Sequence, residues 1–200
     1  MMNRFKIEYL LIVILPVLAS WIGSLLPGMQ SGPGGPSLMH ISLGAALLTG
    51  LMALFVRYLA GQWHYLIAIV ASMLYAGLSL RVMNAPISIL PLFLVNLLYS
   101  LLTILIIKFV FYIKTIFRFR TILFGVAGAA IFSVYLAFLY QLLTVQLPQG
   151  FWNATFMYGL ISYVFIGFGM SMADLIILRL DVAELQNQGG QDQDTEEDDS

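Results

Sequence analysis

The chain has 200 residues, of which 60 % are hydrophobic and 10 % charged, and its mean hydropathy is +0.93. Soluble domains carry about 25% charged residues, so a water-soluble globular fold is excluded and the chain reads as an integral membrane protein. Cysteine is absent, which excludes disulfides, thiolate metal ligands and a cysteine nucleophile. The net charge of −1 hides a division, because residues 1–180 hold nine bases and two acids (+7) while residues 181–200 hold eight acids and no base (−8).

A spanning helix takes roughly 20 apolar residues. The sequence predicts six, at about 9–26, 38–57, 65–83, 87–107, 121–143 and 154–178. They make an all-α transmembrane bundle over residues 1–180, followed by an acidic tail at 181–200.

The first segment begins MMNRFKIEYLLIVILPVLAS, whose basic start, apolar run and Val17-x-Ala19 site match a signal peptide. The apolar run continues through Trp21 to Leu26, which favours an uncleaved helix. PGMQSGPGGPS (27–37), GQWH (61–64), MNAP (83–86) and QLPQG (146–150) break the chain after the first, second, third and fifth segments. Between the fourth and fifth, KFVFYIKTIFRFR (108–120) reads as a basic, aromatic loop lying at an anionic leaflet and fixing topology. Its bases are too few and too close to lipid for nucleic acid, and no nucleic-acid partner is expected. Beyond Arg179, LDVAELQNQ can extend the last helix, whereas GGQDQDTEEDDS cannot bury enough surface to order itself and reads as a disordered, solubilising or partner-docking tail.

Short loops rich in Lys and Arg stay cytoplasmic. With the N-terminus inside, Arg4, Lys6, Arg57, Lys108, Lys114, Arg118, Arg120 and Arg179 are all cytoplasmic and only Arg81 is outside. Trp21 and Trp152 then mark the outer interface and Trp63 the inner one. Both termini are expected in the cytoplasm, and the short loops point to a bacterial plasma (inner) membrane. Asn153-Ala154-Thr155 matches the glycosylation triplet but abuts the outer interface.

Small residues recur at every fourth position: Ser42, Ala46 and Gly50; Ala68, Ser72 and Ala76; Gly125, Ala129, Ser133 and Ala137. In the last helix Gly159, Gly167 and Ser171 continue the pattern around Tyr163. Such rows share one helix face and let backbones approach closely. They predict tight packing, within the bundle or against a partner.

The fourth helix carries Pro86 and Pro91 near its outer end and Asn96, Ser100 and Thr103 on one face. Polar groups at mid-membrane need partners, so this face should look into the bundle or a water-filled cavity. Asp174 is the only acid between Glu8 and Asp181. It lies about 7 Å from the inner end at Arg179, where an ionised carboxylate also needs a partner. Two readings stand: a cation, a proton or a partner's base, or neutralisation within the chain by Arg57, Lys108 or another inner-side base. Arg179, at i+5, is badly placed for that.

His40 and His64 fall on opposite sides and cannot share a metal; no HExxH, GxSxG or phosphate-cradling loop occurs. No catalytic residue, metal or cofactor is expected. In helix number, length and inward termini the layout is similar to two groups of bacterial proteins. These are the substrate-binding components of energy-coupling-factor transporters and the small membrane subunit of the rod-shape machinery. No residue motif carries either likeness. The sequence thus predicts a non-enzymatic subunit or scaffold of a membrane complex, with lipid and protein partners. Its alternative is a small-solute binding or transport protein with its site between the fourth and sixth helices.

Overall fold

A computed structural model describes residues 2–26, 38–59, 61–83 and 87–194. These form six helices and no strand: α1 (Met2–Ser24), α2 (Leu38–Tyr58), α3 (Trp63–Met83), α4 (Ile89–Phe111), α5 (Phe117–Leu142) and α6 (Phe151–Asp194). Five stretches are long and apolar enough to cross a membrane: Ile7–Ser24, Trp63–Arg81, Ile89–Phe111, Phe117–Leu142 and Phe151–Leu185. In α2 the apolar stretch Leu43–Tyr58 is shorter. Around the outside, Leu10, Leu18, Leu66, Leu74, Leu78, Leu90 and Phe109 are each more than 45 % exposed. Such a girdle would be an aggregation surface in water and is the normal outer surface of a helical bundle in lipid.

α6 packs most extensively against α5 and then α1, and α1 packs against α2. Contacts from α5 to α4 and from α4 to α2 close the ring, while α3 rests chiefly on α4. The chain alternates in direction, so Arg57, Lys108, Lys114, Arg118, Arg120 and Arg179 lie toward one end of the bundle and Arg81 toward the other. The exposed rings of Trp21 and Trp152 belong to the Arg81 end and that of Trp63 to the base-rich end.

The rows of small residues are buried inside this single chain. Ala46 and Gly50 face α1, where a Cβ on Gly50 would come within 3.2 Å of Ile12 O and Val13 Cα. Ala68, Ser72 and Ala76 are at most 1 % exposed, and Ser72 shares a hydrogen bond with Ser100 of α4 at 3.2 Å. Gly125, Ala129, Ser133 and Ala137 are buried on α5, with Gly125 against Val164 and Ala129 against Gly159. Gly167 meets Phe124, and Ser171 pairs with Thr121 at 3.4 Å. The side chain of Ser42 lies outside the described residues.

Tyr163, which interrupts the row on α6, lies with its ring against Gly128, so the missing side chain there is the socket for a ring. Among the described glycines, Gly169 comes nearest to a neighbouring backbone and joins α6 to α1, where a Cβ on it would lie 2.5 Å from Leu15 O and 2.7 Å from Pro16 Cα. Pro16 is fully buried at this crossing. The first helix is thus a packed member of the bundle, and losing residues 1–19 would take a major partner from α6.

Two expectations change. The basic segment 108–120 is mostly helix: α4 runs on to Phe111 and α5 starts at Phe117, leaving a short link. Its physical cause is Arg120, whose Nε–H donates to Thr115 O at 3.2 Å and whose guanidinium donates to Phe111 O at 3.4 Å. The free carbonyls at the end of α4 are thereby met by a cation, which the helix dipole also favours. Residues 181–188 continue α6 as LDVAELQNQ allows, and the helix runs on to Asp194, where disorder was expected from Gly189 onward. Residues 27–37 and 84–86, with Pro86, and the last six positions, 195–200, lie outside the described residues.

Candidate functional site

Two polar clusters stand inside the bundle, and the residues singled out from the sequence divide between them. Asn96, Ser100 and Thr103 are at most 4 % exposed on α4, all facing inward. Thr103 donates back to Tyr99 O at 2.8 Å, and Ser100 pairs with Ser72. Tyr135 O–H donates to Asn96 Oδ1 at 2.9 Å. Tyr135 also stacks on Tyr99, ring centroids 4.4 Å apart, and Tyr99 hydrogen-bonds Tyr163 through their hydroxyls. Phe124 and Phe132 close over Tyr163 at 5.7 and 6.0 Å. Asn96 Nδ2 and Ser162 Oγ are buried without a hydrogen-bond partner among the described residues.

This cluster is a seal. Elsewhere Thr49, Ser79, Thr121, Ser133 and Thr155 satisfy themselves by donating to the carbonyl four residues back, the usual answer to a hydroxyl in hydrocarbon. Ser100 and Asn96 instead tie α4 to α3 and α5.

Asp174 belongs to the second cluster, at the base-rich end. Its Oδ1 lies 3.5 Å from Arg57 Nη1 and its Oδ2 lies 3.7 Å from Arg120 Nη1. The three side chains are 25–33 % exposed, so water reaches the group. Arg57 stands in the last turn of α2 and Arg120 over the end of α4, so both cations also face the negative ends of helix dipoles. Of the two readings of Asp174, the structure describes neutralisation within the chain. Lys108 takes no part; its Nζ lies 5.6 Å from the centre of the Tyr65 ring.

A cavity of about 240 Å³ opens beside this triad. Arg57, Arg120, Asp174 and Asp181 border it, with an apolar wall that includes Ile12, Ala53 and Ile107. Asn96, Ser100 and Thr103 do not. The four residues grouped as one intramembrane polar site therefore occupy two places.

Sequence reasoning passed over Tyr99 and Tyr135 and read Tyr163 only as a break in the small-residue row, because a tyrosine in an apolar run gives no sign of whether its hydroxyl is buried. It also left Arg120 unnamed as a partner of Asp174. The spacing of Arg120 from the end of α4 could have signalled a cap. Nearby, Tyr58 of α2 donates to Glu8 of α1 and its ring lies tilted against that of Tyr9, centroids 4.6 Å apart, a further tie between these helices. His64 is 4 % exposed on the α3 face that meets α4, and neither ring nitrogen has a hydrogen-bond partner among the described residues. Among the described residues no three His, Asp or Glu side chains gather as metal ligands. Compared with known proteins, the chain matches no family model, no curated protein and no solved structure.

Proposed function

We propose that this helical membrane protein is a non-enzymatic subunit or scaffold of a membrane complex, in a bacterial plasma membrane with both termini cytoplasmic. The observation that carries the reading is the length of α6. Its 44 residues amount to about 66 Å at 1.5 Å per residue, against about 30 Å of hydrocarbon. Some 14 residues after Leu180 extend the helix by about 20 Å. A free helix of that length is marginal in water, so packing against another surface would be needed to stabilise it. Its sequence carries Asp181, Glu184, Asp192 and Asp194, which fits a basic cytoplasmic partner. The rival reading, a solute carrier using Asn96, Ser100 and Asp174 together, loses support because the cavity touches only Asp174.

Truncation after Leu185 tests the proposal. In native mass spectrometry of gently extracted membranes, a stoichiometric protein partner is expected with the full chain and with Asn96→Leu, and is lost on truncation. A lone full-length chain, or a partner that survives truncation, would sink the reading.

A further inference from the structure

The corner between α4 and α5 carries two cations for which the chain supplies no counter-charge. Lys114 stands in the link and Arg118 in the first turn of α5, both exposed. Residues 9–173 contain no acid, and Asp174 is held by Arg57 and Arg120. Among the described residues neither Lys114 nor Arg118 makes a hydrogen bond or an ion pair. The corner itself is braced: Arg120 donates to Thr115 O and Phe111 O, and Thr115 N–H donates to Ile113 O. The two cations are thus presented from a formed turn.

Its apolar side chains are turned outward as well. Ile116, 78 % exposed, is the most exposed large apolar residue among those described, and Tyr112 and Phe119 are more than half exposed. Ile116 is also the N-cap of α5 and makes no side-chain capping bond, where Ser, Thr, Asp or Asn ordinarily accepts one. A residue that forgoes the cap and is left uncovered by its own chain gains only from burial outside it. Phe109 and Ile122, also more than half exposed, share faces with Tyr112 on α4 and with Phe119 on α5. The apolar strip therefore continues onto the flank of the bundle.

Two anionic surfaces could meet the corner, a leaflet of acidic phospholipid and the chain's own acidic tail. Residues 186–200 contain no large apolar side chain, so the tail can neutralise Lys114 and Arg118 but cannot cover Ile116 and Phe119. A leaflet does both, with phosphates at its surface and hydrocarbon beneath.

We propose that the α4–α5 corner is a binding site for an anionic phospholipid of the leaflet at the base-rich end, with its phosphate drawn to Lys114 and Arg118 and its chains along Ile116 and Phe119. Arg118 offers a fork of N–H donors to a phosphate oxygen pair, and Lys114 adds a point charge. The ammonium of a zwitterionic headgroup finds no carboxylate among the described residues of the corner, so a lipid of net negative charge is preferred.

The test uses the full chain in nanodiscs of equal phosphatidylethanolamine and phosphatidylglycerol, transferred to mild detergent. Retained lipid is counted by native mass spectrometry. Wild type should retain phosphatidylglycerol in preference. Lys114→Gln and Arg118→Gln should each lower that preference about fivefold, and together about 25-fold; Arg118→Lys should lose less than Arg118→Gln. Ile116→Asn should stabilise α5 as a better cap and yet retain less of both lipids, a combination that a purely structural role would not give. Arg179→Gln, at the same end on α6, should leave the preference unchanged. An equal loss in Arg179→Gln, or an unchanged preference in the double variant, overturns the proposal. So does a rise in retained phosphatidylglycerol when residues 186–200 are removed, which would make the tail the occupant. Displacement of the lipid by inorganic phosphate at constant ionic strength also overturns it, since the site would then serve a soluble anion.

Discussion

The two polar clusters of this bundle answer the same problem in opposite ways. At mid-membrane, Asn96, Tyr99, Tyr135 and Tyr163 turn their polar atoms on one another under a lid of phenylalanine. At the base-rich end, Arg57, Arg120 and Asp174 stay a quarter to a third exposed, at long separations, beside a cavity. The difference follows from depth. An unpaired polar group in hydrocarbon costs several kcal/mol, roughly, so the deep cluster turns its hydroxyls and the Asn96 carbonyl on one another, with Asn96 Nδ2 and Ser162 Oγ the exceptions among the described residues. Near the headgroups water completes what the protein leaves open, and a site can remain available. Polarity within the membrane is thus no guide to function until its closure is known.

The sharpest way to break the closed region is to force apart the helices that enclose it. Gly169→Val would drive a side chain into the backbone of Leu15 and Pro16. It should cost about 3 kcal/mol or more, at or above the upper end of ordinary overpacking. Thermal unfolding in detergent measures this, and a variant within a degree or two of wild type would show that α1 and α6 are not so closely crossed. Next comes Tyr163, 2 % exposed. Tyr163→Ala should cost about 3–5 kcal/mol by emptying the socket at Gly128. Tyr163→Phe should cost only about 1 kcal/mol, the hydrogen bond to Tyr99 alone. If the two variants were equally damaging, the seal would be held by hydroxyls and not by packing. Asn96→Leu is milder still: Tyr135 loses its acceptor, but the Nδ2 of Asn96, without a partner among the described residues, disappears too. About 1 kcal/mol is expected, read from the same melting curves.

The ranking shows which features could be read from the chain. The positions of the helices follow from apolar runs and breakers, and the inward turn of Asn96, Ser100 and Thr103 follows from the cost of polarity in lipid. The α5 row from Gly125 to Ala137 identified a face that is buried against α6. Gly169 was not legible, because it falls off the row through Gly159 and Gly167 and faces α1; its role depends on which helix lies behind it. The partners of Asp174 were equally hidden. Arg57 is 117 residues away, and only the adjacency of α2 and α6 prefers it to Lys108. Local chemistry also misled at Arg118 and Arg120. Bases among aromatic residues suit an interfacial loop and the first turn of a helix alike, and the choice falls to the carbonyls that Arg120 caps.

The smallest effect separates the clusters most cleanly. Asp174→Asn removes the negative charge between two guanidinium groups, but all three side chains remain wet. Their attraction is therefore weak in energy, and the loss should be about 1 kcal/mol or less at low ionic strength. What distinguishes it is salt. Exposed charges are screened over about 10 Å at 0.1 M and about 3 Å at 1 M, so the gap between Asp174→Asn and wild type should shrink steadily as sodium chloride rises. The deficit of Tyr163→Phe, a neutral contact in a dry interior, should stay constant over the same range. Unfolding midpoints of both variants against wild type, at three salt concentrations, measure the contrast. A salt-independent deficit for Asp174→Asn would mean that the arginine pair is sealed like the tyrosines. The cavity beside it would then be a packing defect without access from outside the bundle.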